Sequence, residues 1–341
     1  MSVERTDTMS QQQGPRIIPR VPQIFSGIDS KKKCYEPMVV SIGPYYHGKL
    51  DGLKEMERSK RSMVRGFVQQ SGKQIEEVYK TVVDVAEEAR RCYAEDESFK
   101  LVDMTAFTTM IDMSSHLAAL VARDMLLLEN QLPFLVLRPL MNLRFEGEYG
   151  MELIKDFIKH IRAMPRQQKS ISKFFRKIIM RGALNLTAPI GLAMEEYYGA
   201  SHLLELFHMH FADKKAPVDS SMTSLYRYHP TKELTTVGIH FKPSKTSHFT
   251  DVQFKRTWLA GRLQIPPLTI DDSTRSILLN LVAYEACLGD NNKLWVTSYV
   301  CFMDSLIDHP EDVRVLRSEG ILLVTLGSEE EVAKLFNEVA K

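Results

Sequence analysis

The chain has 341 residues, enough to bury a large hydrophobic core or two packed subdomains. Its 44 Lys and Arg residues balance 43 Asp and Glu residues, so the net charge of +1 gives no reason to expect nucleic acid as a partner. The four cysteines show no CxxC spacing, which favours reduced thiols in a cytosolic setting over a disulfide framework. No run of 18 apolar residues occurs, so the sequence as given predicts no transmembrane helix.

Composition divides the chain into a tail and one domain. Residues 1–16 are polar and are predicted to form a disordered N-terminal tail. Residues 17–341 are predicted to form a single domain. Within it we expect a helical core at 17–212, a loop at 213–228, and a part containing both strands and helices at 229–341.

The predicted helical core starts with an irregular segment. Met38–Gly48 combines β-branched residues with a Gly-Pro turn, which predicts a short strand or a buried extended segment. From Leu53 to Glu95, apolar residues recur every three or four positions, and this spacing predicts amphipathic helices. Ser71-Gly72 is expected to separate two of them.

The hydrophobic period changes in the C-terminal third. Short β-leaning runs separated by Gly, Pro and Ser predict a small β-element, which we interpret as a meander. These runs are Val237–Phe241, Phe249–Phe254, Trp258–Ile265 and Leu268–Ile270. Helices resume near the candidate caps Asp272 and Ser273, and Ser328 has capping-box spacing with Glu331. The predicted fold class is therefore mainly α, a large helical domain with a small β-element in the C-terminal third.

The most informative segment is Asp124–Met141, DMLLLENQLPFLVLRPLM, which is strongly apolar but contains Glu129, Asn130 and Gln131. Unpaired, each buried polar side chain would cost roughly 2–7 kcal/mol. The segment is therefore predicted to be a buried helix carrying a polar cluster, with Pro133 kinking it or starting a new helix. We expect the three polar side chains to be buried and bonded to main-chain groups of Met38–His47, because that irregular segment has unpaired donors and acceptors.

The stretch GPYYHGKL has the spacing of a phosphate-binding loop. However, Leu50 stands where the magnesium-binding hydroxyl is needed, and Pro44 removes one backbone N–H from the loop. We therefore interpret Gly43, Pro44, His47 and Gly48 as a structural turn, and no nucleotide cofactor is expected.

Other motifs point to neither a metal site nor a catalytic site. His202, His208 and His210 are offset by six and two residues, which places them on different faces of a helix. HExxH, zinc-finger spacings and the G-x-S-x-G elbow are absent from the sequence. The sequence therefore predicts no metal ligands, no cofactor and no catalytic residues.

A polar, turn-rich stretch at Lys214–Ser224 is a candidate binding loop, because binding residues are often carried by loops on a rigid scaffold. The residues singled out in it are Lys214, Lys215, Pro217 and Asp219.

A series of motifs resembles one plant family, catalogued as domain of unknown function 247 or UPF0481. The motifs include YEPMVVSIGPYYHG, LKEMERSK, DMLLLENQLPFLVL, HLLELF, LQIPPLTIDDST, NLVAYEAC and DSLIDHPEDVRVLRSEGILL, in collinear order from Val21 to Asn337. The resemblance implies a plant source, a mostly helical single domain and no established enzymatic activity. It also implies a C-terminal transmembrane anchor, which this sequence, ending at Lys341, does not include. The chain as given is therefore expected to be soluble and cytoplasmic, with a membrane reached only through that anchor.

Two function classes remain open. The first is a non-enzymatic recognition or scaffold protein with an unidentified protein partner. The resemblance extends this class to self-incompatibility, in which some grass members are implicated as determinants. The second is a hydrolase-like enzyme that uses polar residues of the core, for example Glu129 with His47. A pocket that brings Glu129 within hydrogen-bond reach of a histidine would favour the enzyme.

Overall fold

Helices dominate the computed structural model, which describes residues 18–94, 115–145, 149–162, 199–211, 229–256, 258, 260–289, 293–325 and 327–340. The helices are α1 (Gln23–Ser26), α2 (Asp29–Tyr35), α3 (Lys54–Ser71), α4 (Ile75–Arg91), α5 (Ser115–Asp124), α6 (Phe134–Arg144), α7 (Tyr149–Arg162), α8 (Leu203–Met209), α9 (Thr231–Thr236), α10 (Thr274–Leu288), α11 (Trp295–Leu306), α12 (Pro310–Ser318) and α13 (Glu329–Val339). The strands are β1 (Ile239–Pro243), β2 (Gln253–Arg256), β3 (Gly261–Ile265), β4 (Leu268–Ile270) and β5 (Leu322–Val324). Short 3-10 helices occur at Pro44–Tyr46, Asp51–Leu53 and Leu128–Asn130. The prediction of a mainly α protein with a few short strands in its C-terminal third is confirmed.

The first long helices, α3 and α4, are separated where the sequence predicts. Gly72 ends α3 with a φ of 66°, a left-handed conformation that glycine adopts without a steric penalty. In α4, acidic residues occupy the first turn and basic residues the last, which complements the helix dipole. The helix packs against α6 and buries Val78, Val82 and Ala89.

Helix α10 lies at the centre of the C-terminal half. It is apolar nearly all round and packs against α2, α11 and α13. Its N-terminus is not capped by Asp272 or Ser273, the predicted candidates. Instead the carboxylate of Asp271 accepts the N–H groups of Ser273 and Thr274, both at 3.0 Å, because a carboxylate placed just before the first turn reaches those free donors. The predicted capping box between Ser328 and Glu331 is present at the start of α13.

The small β-element is not a meander, so that detail of the prediction is wrong. Its strand order is β1-β3-β2, with β1 parallel to β3 and β2 antiparallel to β3. A second, two-stranded sheet pairs β4 with β5 in parallel. The connection from β1 to β2 is drawn into the core, because Phe249 stacks on Phe211 at 4.2 Å and on Tyr299 at 4.0 Å. A connection anchored in this way does not form the tight β1–β2 hairpin that a meander requires.

The apolar segment around Glu129 is not one helix, as the sequence suggested. Helix α5 ends at Asp124, the chain turns through Met125–Leu127 into a 3-10 helix, and α6 begins after Pro133. The three consecutive leucines Leu126, Leu127 and Leu128 are fully buried in this connection. Pro133 therefore starts a new helix, one of the two outcomes expected for it. Within the described ranges, no helix is both long enough and apolar enough to cross a bilayer.

Met38–Gly48 is a buried extended segment followed by a 3-10 turn, as predicted. Val40 and Ile42 are buried, and Gly43 lies directly against the connection between α5 and α6. A Cβ atom at Gly43 would lie 2.6 Å from the backbone oxygen of Gln131, closer than real Cβ contacts. Glycine is therefore required at this position by the approach of two backbone segments.

Replacing Gly43 by Ala is expected to lower the free energy of unfolding by about 1–3 kcal/mol, the range for overpacking a close contact. The matched control is Gly66→Ala in α3, where a Cβ would have no neighbour within 4 Å. That change should raise stability by about 0.5–1 kcal/mol, because glycine in a helix costs that amount relative to alanine. Urea denaturation of both variants measures the difference, and equal stabilities would contradict the close approach at Gly43.

Candidate functional site

Asn130 joins the two irregular segments of the N-terminal half. Its side chain is fully buried and uses all of its main hydrogen-bonding groups. Oδ1 accepts the N–H groups of Ile42 at 2.7 Å and Gly43 at 3.3 Å, while Nδ2 donates to the carbonyls of Val40 and Asp124, both at 2.9 Å. For Asn130, the predicted burial and bonding to Met38–His47 are both present.

Gln131 is equally buried but bonds elsewhere. Its Nε2 donates to the carbonyls of Met125 and Leu127, each at 2.7 Å, and its Oε1 accepts the N–H of Leu204 at the start of α8. The prediction that the Gln131 side chain bonds to main-chain groups of Met38–His47 is therefore wrong. The irregular turn after α5 has carbonyls of its own to satisfy, and the Gln131 side chain is the nearest donor.

Glu129 differs from its two neighbours because it is only partly buried. Its carboxylate accepts the N–H of Val21 at 2.9 Å and lies 3.4 Å from a guanidinium nitrogen of Arg20. The Tyr46 hydroxyl donates to the carbonyl of Tyr35 at 3.2 Å, and burial together with the negative charge of Glu129 raises the pKa of that hydroxyl. The prediction of a main-chain partner in Met38–His47 is therefore wrong for Glu129. Its main-chain donor is the N–H of Val21, which lies in the segment before Met38.

Asp124 is the residue of this network that the sequence prediction missed. Its fully buried carboxylate accepts the N–H groups of three consecutive residues, Met38, Val39 and Val40, at 2.7–3.1 Å. Arg123 donates to the same carboxylate at 2.7 Å. Burial raises the pKa of Asp124, although the N–H donors and Arg123 oppose that shift. The position of Asp124 immediately before an apolar run was the only signal for it in the sequence.

Asn280 ties the same connection to α10. Its Oδ1 accepts the N–H of Leu128 at 2.8 Å, and its Nδ2 donates to the carbonyl of Cys34 at 3.0 Å. Ser276, one turn earlier, donates to the same Cys34 carbonyl. Polar side chains of the central helix thus satisfy backbone groups of the N-terminal half, which is the usual condition for burying them.

The GPYYHGKL stretch forms a turn, as interpreted. The 3-10 helix Pro44–Tyr46 follows Gly43, and Gly48 has a φ of 68°. The apolar residues before it are extended but unpaired with any strand, and Lys54 begins α3 only after a second 3-10 helix. The strand, glycine-rich loop and helix of a phosphate-binding loop are therefore not formed here.

The structure gives Glu129 and His47, the two residues of the hydrolase-like alternative, different partners. The Nδ1 of His47 lies 3.6 Å from Oε2 of Glu57. The other oxygen of that carboxylate, Oε1, lies 2.5 Å from Nζ of the buried Lys60. Glu129 contacts Arg20, Val21 and Tyr46.

A buried acid–imidazole pair lies in the C-terminal half. His208 of α8 and Glu285 of α10 are both buried, and Nε2 of His208 lies 2.7 Å from Oε1 of Glu285. The Glu285 carboxylate also accepts the N–H groups of Val296 at 2.8 Å and Thr297 at 2.7 Å. His208 stacks on Trp295 at 5.0 Å. Glu285 therefore caps α11, and His208 fixes the position of that carboxylate.

The other histidines of the predicted helix have separate roles. His202 is the N-cap of α8, where its Nδ1 accepts the N–H of Glu205 at 3.2 Å. In the part of the chain that the structure describes, no three His, Cys, Asp or Glu residues are placed to hold one metal ion.

A recess of about 70 Å³ lies between the end of α7, α8 and the start of α10. Phe207, Phe211 and Phe249 form its apolar wall, and Asp271 and Thr274 form its polar wall. The Asp271 oxygen that caps α10 already accepts hydrogen bonds from Ser273 and Thr274. The acid in the wall of this recess therefore has a structural role.

The candidate binding loop Lys214–Ser224, with Lys214, Lys215, Pro217 and Asp219, lies outside the described residues. It stays a prediction.

An exposed apolar stripe runs along α4 beside its buried face. Ile75, Tyr79 and Val83 recur at four-residue steps and are 50%, 59% and 45% exposed. Residues at such steps lie one above another on the same side of a helix. The regular apolar spacing in the sequence includes Ile75, whereas the buried positions of this helix are Val78, Val82 and Ala89. Tyr79 and Val83, each one position after a core residue, were the overlooked signal for a second apolar stripe.

Comparison with known proteins places the chain beside plant proteins of unassigned activity. The family model described as "Plant protein of unknown function", DUF247, matches residues 18–341. The UPF0481 protein At3g47200 of Arabidopsis thaliana is 28% identical over 374 residues, covering 94% of this chain and 72% of the relative. The putative UPF0481 protein At3g02645 of the same plant is 35% identical over 109 residues, covering 32% of this chain and 20% of the relative. No solved structure matches.

Removing the Asn130 side chain should cost more stability than removing the Glu129 side chain. Asn130→Ala would leave buried N–H and carbonyl groups without partners, and we expect a loss of at least about 2 kcal/mol in unfolding free energy. Glu129→Ala should cost about 1–3 kcal/mol, since its N–H donor and Arg20 are nearer the solvent. The control Asn142→Ala changes an exposed residue of α6 and should be nearly neutral. Chemical denaturation ranks the three variants, and a neutral Asn130→Ala would contradict the role assigned to it.

Replacing Glu285 by Ala or by Gln distinguishes its role as a hydrogen-bond acceptor at the start of α11 from its role as a charged group. Glu285→Ala removes the acceptor for Val296 and Thr297, so it should destabilise the protein by about 1–3 kcal/mol more than Glu285→Gln, which keeps an acceptor oxygen. Urea denaturation at constant pH measures the difference. Equal losses in the two variants would show that the acceptor geometry is not what Glu285 contributes.

Proposed function

Because the chain belongs to the plant DUF247 family, whose description assigns no activity, we propose that it is a non-enzymatic recognition scaffold that binds a partner protein through the exposed stripe of α4. Ile75, Tyr79 and Val83 carry the proposal, since three large apolar side chains in line on one helix are exposed in a protein with an extensive buried core.

The interior supports this reading. Asp124, Asn130 and Gln131 bond mainly to backbone groups, and Glu285 caps a helix. Polar groups committed in this way stiffen the body of the protein. A rigid body is what a docking helix needs, because its contact residues lose little freedom when a partner binds.

The charges beside the stripe indicate the chemistry of the partner. Glu76, Asp84 and Glu87 are exposed on the flank of α4 next to Tyr79 and Val83, and they outnumber the exposed cations Lys80 and Arg91 on that flank. The complementary ligand is an amphipathic helix with an apolar face and basic residues along one edge. Packing of such a helix buries the stripe and pairs the flanking charges.

Tyr79 is expected to be the anchor residue. Tyrosine is enriched among residues that dominate binding energy, and Tyr79 lies at the middle of the stripe. The compatibility role suggested by the resemblance to grass determinants would be one instance of this recognition. It stays a proposal, as does the use of the loop Lys214–Ser224.

Tyr79→Glu should weaken partner binding by at least about tenfold, since it places a charge in the centre of an apolar contact. The measurement is quantitative affinity capture from plant tissue with the full chain as bait, followed by Kd determination for the captured protein. The matched control is Gln70→Glu, which makes the same charge change at an exposed position of α3. Both variants should keep the wild-type melting temperature.

A third bait distinguishes binding through the α4 stripe from binding through the loop. In it, a Gly/Ser linker replaces Lys214–Ser224. If this bait loses the partner while Tyr79→Glu retains it, recognition lies in the loop and the stripe assignment is wrong. If Tyr79→Glu and Gln70→Glu bind equally well, the stripe is not the docking surface.

A further inference from the structure

A second exposed apolar group lies at one end of the three-stranded sheet, independent of α4. Trp258, in the turn between β2 and β3, is 97% exposed, and Val237, just before β1, is 74% exposed. Ile239 of β1 and Arg256 of β2 both pair with Gly261 of β3, so Val237 and Trp258 extend from the same end of the sheet. We refer to Val237, Phe254 and Trp258 as the sheet tip.

Phe254 completes the sheet tip. It is 58% exposed on the edge strand β2, and its ring lies over Gly261. A Cβ atom at Gly261 would lie 2.9 Å from that ring, so the absence of a side chain there lets the ring extend to the end of the sheet. Large apolar side chains grouped at one extremity are uncommon on a protein surface and mark an interaction site.

The sheet that carries this tip is strongly basic. Residues 237–265 contain five Lys and Arg and one Asp, whereas the rest of the chain contains 39 Lys and Arg and 42 Asp and Glu. The near-neutral total therefore hides a local excess of positive charge. The single acid, Asp251, is engaged by the Thr246 hydroxyl at 2.6 Å and by the Gln253 amide at 2.8 Å.

Strand register places cations together on the outer face. Arg262 and Lys255 are directly paired on neighbouring strands and therefore point to the same side, with His240 of β1 beside Arg262, and all three side chains are exposed. The alternate row, Phe241, Leu263 and Phe254, faces the core side, where Phe241 is buried. The outer row carries no large apolar side chain, whereas Arg256, on the same side of β2 as Phe254, places one cation beside the apolar tip.

We propose that this sheet docks on a membrane surface rich in anionic phospholipid headgroups, with Trp258 inserted at the interface between headgroups and acyl chains. Lys and Arg near such a surface are attracted by its negative potential, and tryptophan favours the interfacial layer. A nucleic-acid platform would need aromatic side chains among the cations on one face, where bases could stack. On the outer face of this sheet the cations have no aromatic side chain among them, which favours the lipid surface.

Sedimentation of the full chain with vesicles tests the proposal. The wild-type protein should bind vesicles of phosphatidylcholine mixed with phosphatidylserine and should not bind vesicles of phosphatidylcholine alone. Trp258 emission should shift to the blue on binding. The only other tryptophan, Trp295, is partly buried against His208 and should contribute a constant background. Trp258→Phe should abolish the shift, and Trp258→Ala should weaken binding by about tenfold.

Charge reversal on the sheet has a matched control. Lys255→Glu with Arg262→Glu should weaken binding to phosphatidylserine vesicles by at least about tenfold, because each cation near the surface contributes roughly a fivefold factor. Arg61→Glu with Arg65→Glu makes the same net change at exposed positions of α3 and should leave binding within about twofold. Circular dichroism confirms that both double variants are folded.

Three outcomes overturn the proposal. The first is equal sedimentation with both vesicle types or with neither. The second is equal binding by the sheet variant and the α3 variant. The third is quenching of Trp258 by a single-stranded oligonucleotide, or by an acidic peptide, at a salt concentration where phosphatidylserine vesicles cause no shift.

Discussion

The fold depends on satisfying the backbone of two irregular segments that lie against each other in the core. Met38–Gly43 is extended and Met125–Gln131 is a series of turns, so part of their N–H and carbonyl groups needs side-chain partners. Asp124, Asn130 and Gln131 supply the missing partners. Unpaired buried polar groups cost several kcal/mol each. Because these side chains bond to the free backbone groups, the interior is well packed without regular secondary structure at its centre.

The same solution recurs in the C-terminal half with different residues. Asn280 serves the backbone of Leu128 and Cys34, and Glu285 serves the start of α11. Both side chains belong to α10, a largely buried helix. The two halves are therefore joined by directional hydrogen bonds as well as by apolar packing, and the interior is fixed in one arrangement. The surfaces proposed to bind partners, on α4 and on the three-stranded sheet, are carried by this fixed interior.

Sequence patterns predicted the parts of this fold that local chemistry determines. The left-handed Gly72, the capping box at Ser328 and the helical period of α4 follow from residues close together in the chain, so they were found. The burial of Asn130 was predicted because it lies in a strongly apolar segment, and its bonding to backbone groups was predicted because buried polar groups need partners. The strand order, the partners of Gln131 and the role of Asp124 depend on residues from distant parts of the chain, for which a single sequence carries no spacing signal. The exposed stripe and the sheet tip were missed because the spacing of apolar residues in a sequence does not show which of them a neighbouring element covers.

Many of the decisive bonds connect residues that are synthesised far apart in time. The amide of Asn280 reaches the carbonyl of Cys34 across 246 positions, and Leu128 donates to Asn280 across 152. A ribosome adds residues at about 5–20 per second, so the N-terminal segments wait on the order of tens of seconds for partners that do not yet exist. During that interval the three leucines Leu126–Leu128 and the free backbone groups around them are exposed to other chains. A chain that ends before α10 would lack Asn280, so Leu128 and Cys34 would be left without the partner that joins them to the C-terminal half.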